Sequence, residues 1–394
     1  MSWPMISLGE LVDIKGGGTP DKNNSEYWNG DIPWASVKDF KKNILDSTLD
    51  SITLLGVRNS ATSVIPAGNI IVPTRMALGK VAINTIDLAI NQDLKALFIK
   101  DNDVVDRDYL FRWLESQSSL IESEGKGATV KGITLPFLKG LNVPIPPINE
   151  QKRIAAILDK ADAIRQKREQ AIKLADNFLR ATFLEMFGDP VENPKKLKKS
   201  PITELADVIT GFAFKSNEYI NDSSEAVRLC RGANTLTGYL DWADTKFWPK
   251  NKLEKLDNYL IKAGDIILAM DRPWISSGLK VCIFPENQRE TYLVQRVARL
   301  RPRCESYTNY IYSCIKSPAF EKHCCPTETT VPHISPVELK NFEVLIPPDE
   351  LMVNFHSIVS IINNSLNKMA SGDIDSDALF SKLSQQAFSG HLKR

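Results

Sequence analysis

Residues 128–147 and 329–348 repeat one another at a constant shift of 201, with nine of twenty positions identical. Thr129, Val130, Ile133, Leu138, Lys139, Val143, Ile145, Pro146 and Pro147 match Thr330, Val331, Ile334, Leu339, Lys340, Val344, Ile346, Pro347 and Pro348. Unrelated segments of this length share about one. Shorter blocks agree with small changes of shift. Glu10-Leu11-Val12-Asp13 returns as Glu204-Leu205-Ala206-Asp207, and Ile65–Ile71 as Ile261–Ile267. Gly79–Ile83 is echoed by Leu279–Ile283. A chain of 394 residues exceeds one ordinary core, and the repeat says how it divides. One scaffold occurs twice, while the stretches between the blocks differ, a pattern suited to two different ligands of one kind.

Each copy reads as mixed α/β. Ile70-Ile71-Val72 and Ile266-Ile267-Leu268 are β-rich runs after glycine turns. Asp108–Leu114 and Tyr310–Ile315 have helical spacing. The strings VPIPP and VLIPP close each copy, because proline ends regular pairing and sets an extended exit. A helix follows each string. From Asn149 to Phe187 there is neither Gly nor Pro. Ile157, Ile164, Ala171 and Phe178 recur every seventh residue, with Leu158, Ile172, Leu179 and Met186 alongside. Asn149 is placed to cap this helix, Glu150 suits its positive end, and Gly188-Asp189-Pro190 stops it. In the second copy Met352, Phe355, Val359, Ile362, Leu366 and Met369 keep the same spacing, Ser371-Gly372-Asp373 interrupts, and Asp377–Phe388 resumes with Leu379, Leu383 and Ala387. Apolar seams on both helices predict that they pack together as an antiparallel coiled coil between two heads. A helix of this length spans about 55 Å, and DNA offers equivalent docking positions about 34 Å apart along one face.

Net charge is +1, lower than a free-standing DNA binder carries. Residues 1–150 hold 15 basic and 18 acidic side chains, 151–187 hold 8 and 5, and 201–348 hold 18 of each. Any nucleic-acid function must rest on local patches or on partner subunits. All six cysteines (Cys230, Cys282, Cys304, Cys314, Cys324, Cys325) lie in the second half, which argues against a disulfide framework. Cys314, His323, Cys324, Cys325 and His333 could be weighed as metal ligands, but no CxxC pair exists and adjacent cysteines suit a tetrahedral ion poorly. Apolar runs are too short for a membrane span, and MSWPMISLGE has no export pattern, so the expected location is cytoplasmic. Gly16-Gly17-Gly18 lacks the GK[ST] of a phosphate loop. Glu124-Gly125-Lys126 has the spacing of a nuclease acid–lysine pair without an apolar strand to carry it, and the four histidines form no triad pattern.

Pro146-Pro147-Ile148-Asn149-Glu150-Gln151-Lys152-Arg153-Ile154-Ala155 resembles the start of the long helix in Type I restriction-modification specificity subunits. Gly17-Gly18-Thr19-Pro20 followed by Ile32-Pro33-Trp34, and the Arg75–Ile83 segment, resemble that family's recognition domain. The likeness covers essentially the whole chain, departing mildly at Pro348-Asp349-Glu350-Leu351. It implies two α/β target-recognition domains, 1–148 and 189–348, separated by spacer helices 149–188 and 349–394 with pseudo-twofold symmetry. It further implies no catalytic site in this chain. Each head would read half of a bipartite double-stranded DNA target. Two methyltransferase subunits and endonuclease/translocase subunits would be partners, and S-adenosylmethionine, ATP and Mg would belong to them. The alternative from another class is a two-headed protein-binding scaffold.

Base reading needs paired donors and acceptors on loops, and phosphate contact needs cations and hydroxyls. The loops after the AGxII runs fit best. They contribute Thr74, Arg75 and Lys80 in the first head, and Arg272, Trp274, Ser276 and Lys280 in the second, with Asp271 expected to orient or neutralise Arg272. Lys38, Lys126 and Lys131, and Arg231 and Asn234, are further candidates. So are Lys41, Lys42, Arg228 and His333. For each of these a solvated surface charge is the plain alternative. Lys195–Lys199 reads as a soluble linker.

Overall fold

The structure, a computed structural model, describes residues 3–127, 130–324, 332–369 and 376–392. It divides into two compact units, 1–169 with 372–394, and 170–371. Among the described residues no helix is long and apolar enough to cross a membrane.

The first unit is built on two sheets. β1 (Val12–Gly16), β6 (Leu94–Ile99), β3 (Ile70–Pro73) and β4 (Ala82–Asn84) lie side by side in that order, all antiparallel, with Ile44–Leu45 added parallel to β4. The other sheet has β2 (Trp28–Ala35) parallel to β5 (Leu88–Ile90), flanked by Asp50–Ile52 and Val64–Ile65. Met5–Ser7 pairs with Asn142–Pro144 and closes the unit. β3 is buried along its whole length, so it reads as an unbroken apolar run rather than an alternating one.

The second unit repeats the plan. β7 (Ala206–Thr210), β12 (Val297–Pro302), β9 (Ile266–Ala269) and β10 (Val281–Ile283) take the same order with the same senses. β8 (Ala226–Cys230) lies parallel to β11 (Thr291–Leu293) and antiparallel to Lys246–Pro249. Lys198–Pro201 pairs with Glu343–Ile346. The glycines that open β3 and β9, Gly68 and Gly264, have φ of 90° and 82°, a region open to glycine at no steric cost.

A matching helix packs on each unit, α1 (Arg107–Ser116) in the first and α3 (Thr308–Ile315) in the second. Both carry a tyrosine that donates to a strand carbonyl. Tyr109 Oη reaches Pro144 O and Tyr310 Oη reaches Leu345 O, each at 2.6 Å. An aromatic ring from another helix covers each tyrosine. In the second unit this is Phe187, 4.7 Å from Tyr310 between ring centroids. In the first it is Phe388, 5.5 Å from Tyr109. Phe187 ends α2 (Ile148–Phe187) and Phe388 ends α5 (Ser376–Phe388). Phe187, before Gly188, and Phe388, before Ser389-Gly390, thus end their helices on a repeated ring contact.

The buried stripe of α2 differs from the expected seam. Of the expected positions Leu158 is buried and Leu179 and Met186 pack partly buried on the core, but Ile164 and Phe178 are 61% and 53% exposed, and Gln151, Ile154, Asp162, Phe183 and Phe187 are buried instead. A strict seven-residue repeat drifts around a straight helix of 3.6 residues per turn. The inward face instead recruits polar side chains. Asn149 lies inside the first turn rather than capping it, because Glu150 and Gln151 N–H both donate to Pro147 O. In α4 (Asp349–Met369) the seam holds, with Met352, Phe355 and Val359 buried. In α5 Ala387 is buried but Leu379 is 48% exposed, and Phe380 packs inward in its place. Ser371-Gly372-Asp373 lies outside the described residues.

Gln151 explains the glutamine of the family-like string. It is fully buried, accepts from Asp106 N–H at 2.8 Å, and donates to Val104 O and Pro146 O at 2.9 Å each. The 201 shift puts Met352 in its place in the second unit, also buried. Gln151→Met is expected to destabilise the first unit by about 2–3 kcal/mol, since Pro146 O loses a buried partner and Val104 O and Asp106 N–H lose part-buried ones. Hydrogen exchange of residues 104–110 measures it, and unchanged protection there refutes the assignment.

Cys314 and Cys324 are buried, His323 Nε2 lies 3.0 Å from Glu338 O, and His333 pairs with Asp271. Cys325 lies outside the described residues. Among the described residues no group of three or more His, Cys, Asp or Glu could hold a metal ion.

Candidate nucleic-acid interface

The loop after β3 is clamped from two sides. Thr74 N–H donates to Asp93 O at 2.7 Å, Met76 N–H to Lys131 O at 3.1 Å, and Ile133 N–H to Thr74 O at 2.9 Å. Lys126 and Gly132 exchange both backbone hydrogen bonds, and Arg75 bridges to Gly132. Three of the expected residues, Arg75, Lys126 and Lys131, are thus brought to one exposed place. Thr74 is not among them. It is buried, and its hydroxyl donates to Asp93 O at 3.1 Å. Lys80 is exposed but reaches back, its Nζ 2.8 Å from Phe40 O.

An open cleft of about 440 Å³ adjoins the loop, lined by Lys22, Trp28, Lys38, Met76, Gln92 and Asp93 among others. Lys38 sits in a short turn held by a capping box between Ser36 and Asp39. Backbone packing behind the cleft accounts for the glycine pair in Gly17-Gly18-Thr19-Pro20. A Cβ on Gly17 would stand 1.9 Å from Ile90 O, and one on Gly18 would stand 2.7 Å from Ala61 C. Gly211 holds the same place in the second unit, 2.2 Å from Val294 O.

The loop after β9 is clamped by the same bonds. Met270 N–H donates to Arg296 O at 2.9 Å, Arg272 N–H to Pro332 O at 3.2 Å, and Ile334 N–H to Met270 O at 2.9 Å. Arg272 is exposed, and no partner for its guanidinium occurs among the described residues. Asp271 does not orient it. Its carboxylate instead takes Arg296 Nη1 at 2.8 Å and His333 Nδ1 at 2.5 Å. Trp274 opens a hairpin (Trp274–Ile275 with Gly278–Leu279) and packs half-buried against the core, with Ser276 exposed at the turn. Lys280 is half-buried. Burial lowers its ammonium from the ordinary lysine range, partly offset by Asp271.

Arg231 and Asn234 are taken up internally. Asn234 is 1% exposed, accepts from Arg231 N–H, and donates to Asp241 O and Asp244 O. The Arg231 side chain pairs with Asp244 at 2.7 Å, and hydrogen bonds from Lys246 and Arg231 hold that carboxyl down to about 2. Arg228 stacks 3.6 Å from the Trp242 ring centroid and donates to Thr291 and Gln288. These side chains staple a loop, a role that residue type alone does not distinguish from base reading.

The structure adds residues that pattern reading passed over: Gln92 and Asp93, and Gln295 and Arg296. Leu94 pairs with Pro73, and Val297 pairs with Ala269, so the turns before β6 and β12 occupy matching places. Both glutamines are exposed. A shift of 203 brings Gln92 onto Gln295 in the sequence, but a single matched residue between unlike neighbours carries no signal by itself.

The family model of the Type I restriction modification DNA specificity domain matches residues 2–174. The chain is 40% identical over 165 residues to the Type I restriction enzyme EcoR124I/EcoR124II specificity subunit of Escherichia coli, a match covering 40% of each chain. It is 23% identical over 408 residues to the Type I restriction enzyme MjaIX specificity subunit of Methanocaldococcus jannaschii, covering 97% of this chain and 92% of that one. The match thus spans less than half of the E. coli relative and nearly all of the archaeal one. The crystal structure of the Type-I restriction-modification system S subunit from M. genitalium shares the fold, with a TM-score of 0.60 at 15% identity over 98% of this chain and 96% of that one. A duplicated pair of sheets, the string around Gln151 and these likenesses converge: residues 2–174 match the Type I DNA specificity domain, and the whole chain resembles Type I restriction-modification specificity subunits.

Proposed function

We propose that this chain is the non-catalytic DNA-reading subunit of a Type I restriction-modification complex, each unit reading one half of a bipartite double-stranded target. One observation carries the reading. The two units share one scaffold down to the hydrogen bonds of the loops after β3 and β9, yet display different side chains there. Residues 1–148 and 189–348 are the target-recognition domains, and the helices of 149–188 and 349–394 set the gap between half-sites. Two methyltransferase subunits dock on the helices, and endonuclease/translocase subunits join them. The exposed Ile164, Leu174 and Phe178 of α2 support docking there, since apolar residues grouped on a charged helix mark a partner surface. S-adenosylmethionine, ATP and Mg are held by those partners. A net charge of +1 fits a chain that selects sequence while its partners supply much of the backbone attraction.

The test is methylation of random-sequence duplexes by the methyltransferase subunits with and without this chain. Methylation confined to one bipartite motif, only when the chain is present, is expected. A stable protein complex that methylates without selection would instead make the chain a protein-binding scaffold.

A further inference from the structure

The first three residues of the loops after β3 and β9 make matching backbone bonds, so these positions can be compared one by one. Arg75 corresponds to Asp271, Met76 to Arg272, Asp93 to Arg296 and Gly132 to His333. The hydrogen-bond and bridge partners fix each match. Two features stand out.

First, one ion pair is present in both units with its signs exchanged. In the first unit the cation is on the loop and the anion on the facing turn, Arg75 with Asp93 at 3.8 Å. In the second the anion is on the loop and the cation on the turn, Asp271 with Arg296 at 2.8 Å. Arg75 and Arg296 are 57% and 71% exposed, so a guanidinium reaches solvent from opposite walls of the two loops.

Second, the residue beside this pair is left-handed in both units, Met76 at φ 66° and Arg272 at φ 44°. Glycine would hold this conformation without the cost that a side chain brings there, on the order of 1–2 kcal/mol. Both units instead place a long, exposed side chain at the position. The clamping hydrogen bonds from Met76 N–H to Lys131 O and from Arg272 N–H to Pro332 O hold this conformation, so each side chain leaves its loop from a matching, fixed place.

We infer that the left-handed residue, Met76 in one unit and Arg272 in the other, selects a base pair in each half-site, with the reversed ion pair setting the charge beside it. This rests on the DNA-reading function proposed above. The chemistry names the bases. A guanidinium fork not engaged by a carboxylate matches the O6 and N7 acceptors of guanine, and an apolar thioether tip matches the thymine methyl group. The second unit therefore reads a G·C pair through Arg272, and the first reads a T·A pair through Met76. Arg296 is held by Asp271 and adds positive potential beside Arg272. Asp93 is nearly buried and pairs with Arg75 beside Met76.

The experiment compares the assembled complex carrying the wild-type chain, Arg272→Gly and Met76→Gly, with methylation sequenced on random duplexes. Glycine suits the left-handed backbone, so neither variant is expected to unfold, and thermal unfolding of each complex checks this. Arg272→Gly is expected to cost on the order of ten- to hundredfold in discrimination at one G·C position of one half-site, leaving the other half-site unchanged. Met76→Gly is expected to relax one T·A position in the opposite half-site, by less. A wild-type motif that both folded variants leave intact overturns this inference alone. A wild-type complex with no bipartite motif overturns the underlying reading as well. Relaxation in both half-sites from either single variant also overturns it, because each tip is assigned to one half.

Discussion

Arg112→Ala is expected to destabilise the first unit by about 3–5 kcal/mol, the range for breaking a buried ion network from one side. Arg112 is 9% exposed on α1 and holds three carboxylates, Asp159 and Glu115 at 2.7 Å and Asp162 at 3.1 Å. Asp162 is itself 5% exposed and also takes Arg165 at 2.8 Å. Burial works to raise both acids. For Asp162, hydrogen bonds and charge from Arg165 and Arg112 outweigh burial and hold it below the usual carboxylate range. For Glu115 burial wins over Arg112, and it stands above that range.

The two acids respond to pH in opposite ways. Asp162 contributes stability that is present above its unfolded pKa of about 4 and lost as pH falls through its lower folded value. Glu115 takes up a proton more readily when folded, so its protonation adds stability as pH falls through its raised value. In the alanine variant both carboxylates lose a cation and their folded pKa values rise. The variant's deficit should therefore shrink as pH drops from neutral toward about 5. Hydrogen exchange of residues 107–116 at two pH values measures it. A deficit independent of pH would assign Arg112 to packing alone. Arg112→Lys recovers only part of the loss, because an ammonium cannot present the planar fork that spans several carboxylates.

Phe187→Ala is expected to have an effect of similar size in the second unit. Phe187 is fully buried, with ring centroids of Phe183, Tyr310 and Phe355 at 5.1, 4.7 and 5.4 Å. Removing such a ring costs about 3–5 kcal/mol through lost transfer energy and the cavity left behind. Phe178→Ala, nine residues earlier on the same helix and 53% exposed, should change stability by less than about 0.5 kcal/mol. A single unfolding midpoint is a poor reporter for a chain of two units, so exchange protection of residues 308–315 and 349–359 is the measurement. Equal effects from Phe178 and Phe187 would mean that the inward face of α2 is wrongly assigned.

The contrast between these two phenylalanines shows how far pattern reading reaches. Both lie on the long helix, and spacing alone favoured Phe178. The choice between them was made by Tyr310, which presents its ring at Phe187, and by Asp162 and Gln151, polar residues that hydropathy places outside and that hydrogen bonds draw in. The same holds at the loops. Arg75, Lys126 and Lys131 were recognisable as exposed cations and do converge. Asn234 and Arg231 were equally plausible by type, but they are consumed by carbonyls and by Asp244.

The duplication, the mixed α/β character of each copy, the helix after VPIPP and the loops after the buried strands were all written in the order of residues. They follow from local periodicity, glycine and proline placement, and internal identity. Tertiary contact alone decided which helix face turns inward, which polar side chains are spent on the fold, and that one ion pair changes sign between copies. Each of these depends on partners distant along the chain, from 13 positions between Arg231 and Asp244 to 123 between Phe187 and Tyr310. A pattern read along the chain has no term for such partners until the strands that carry them are paired.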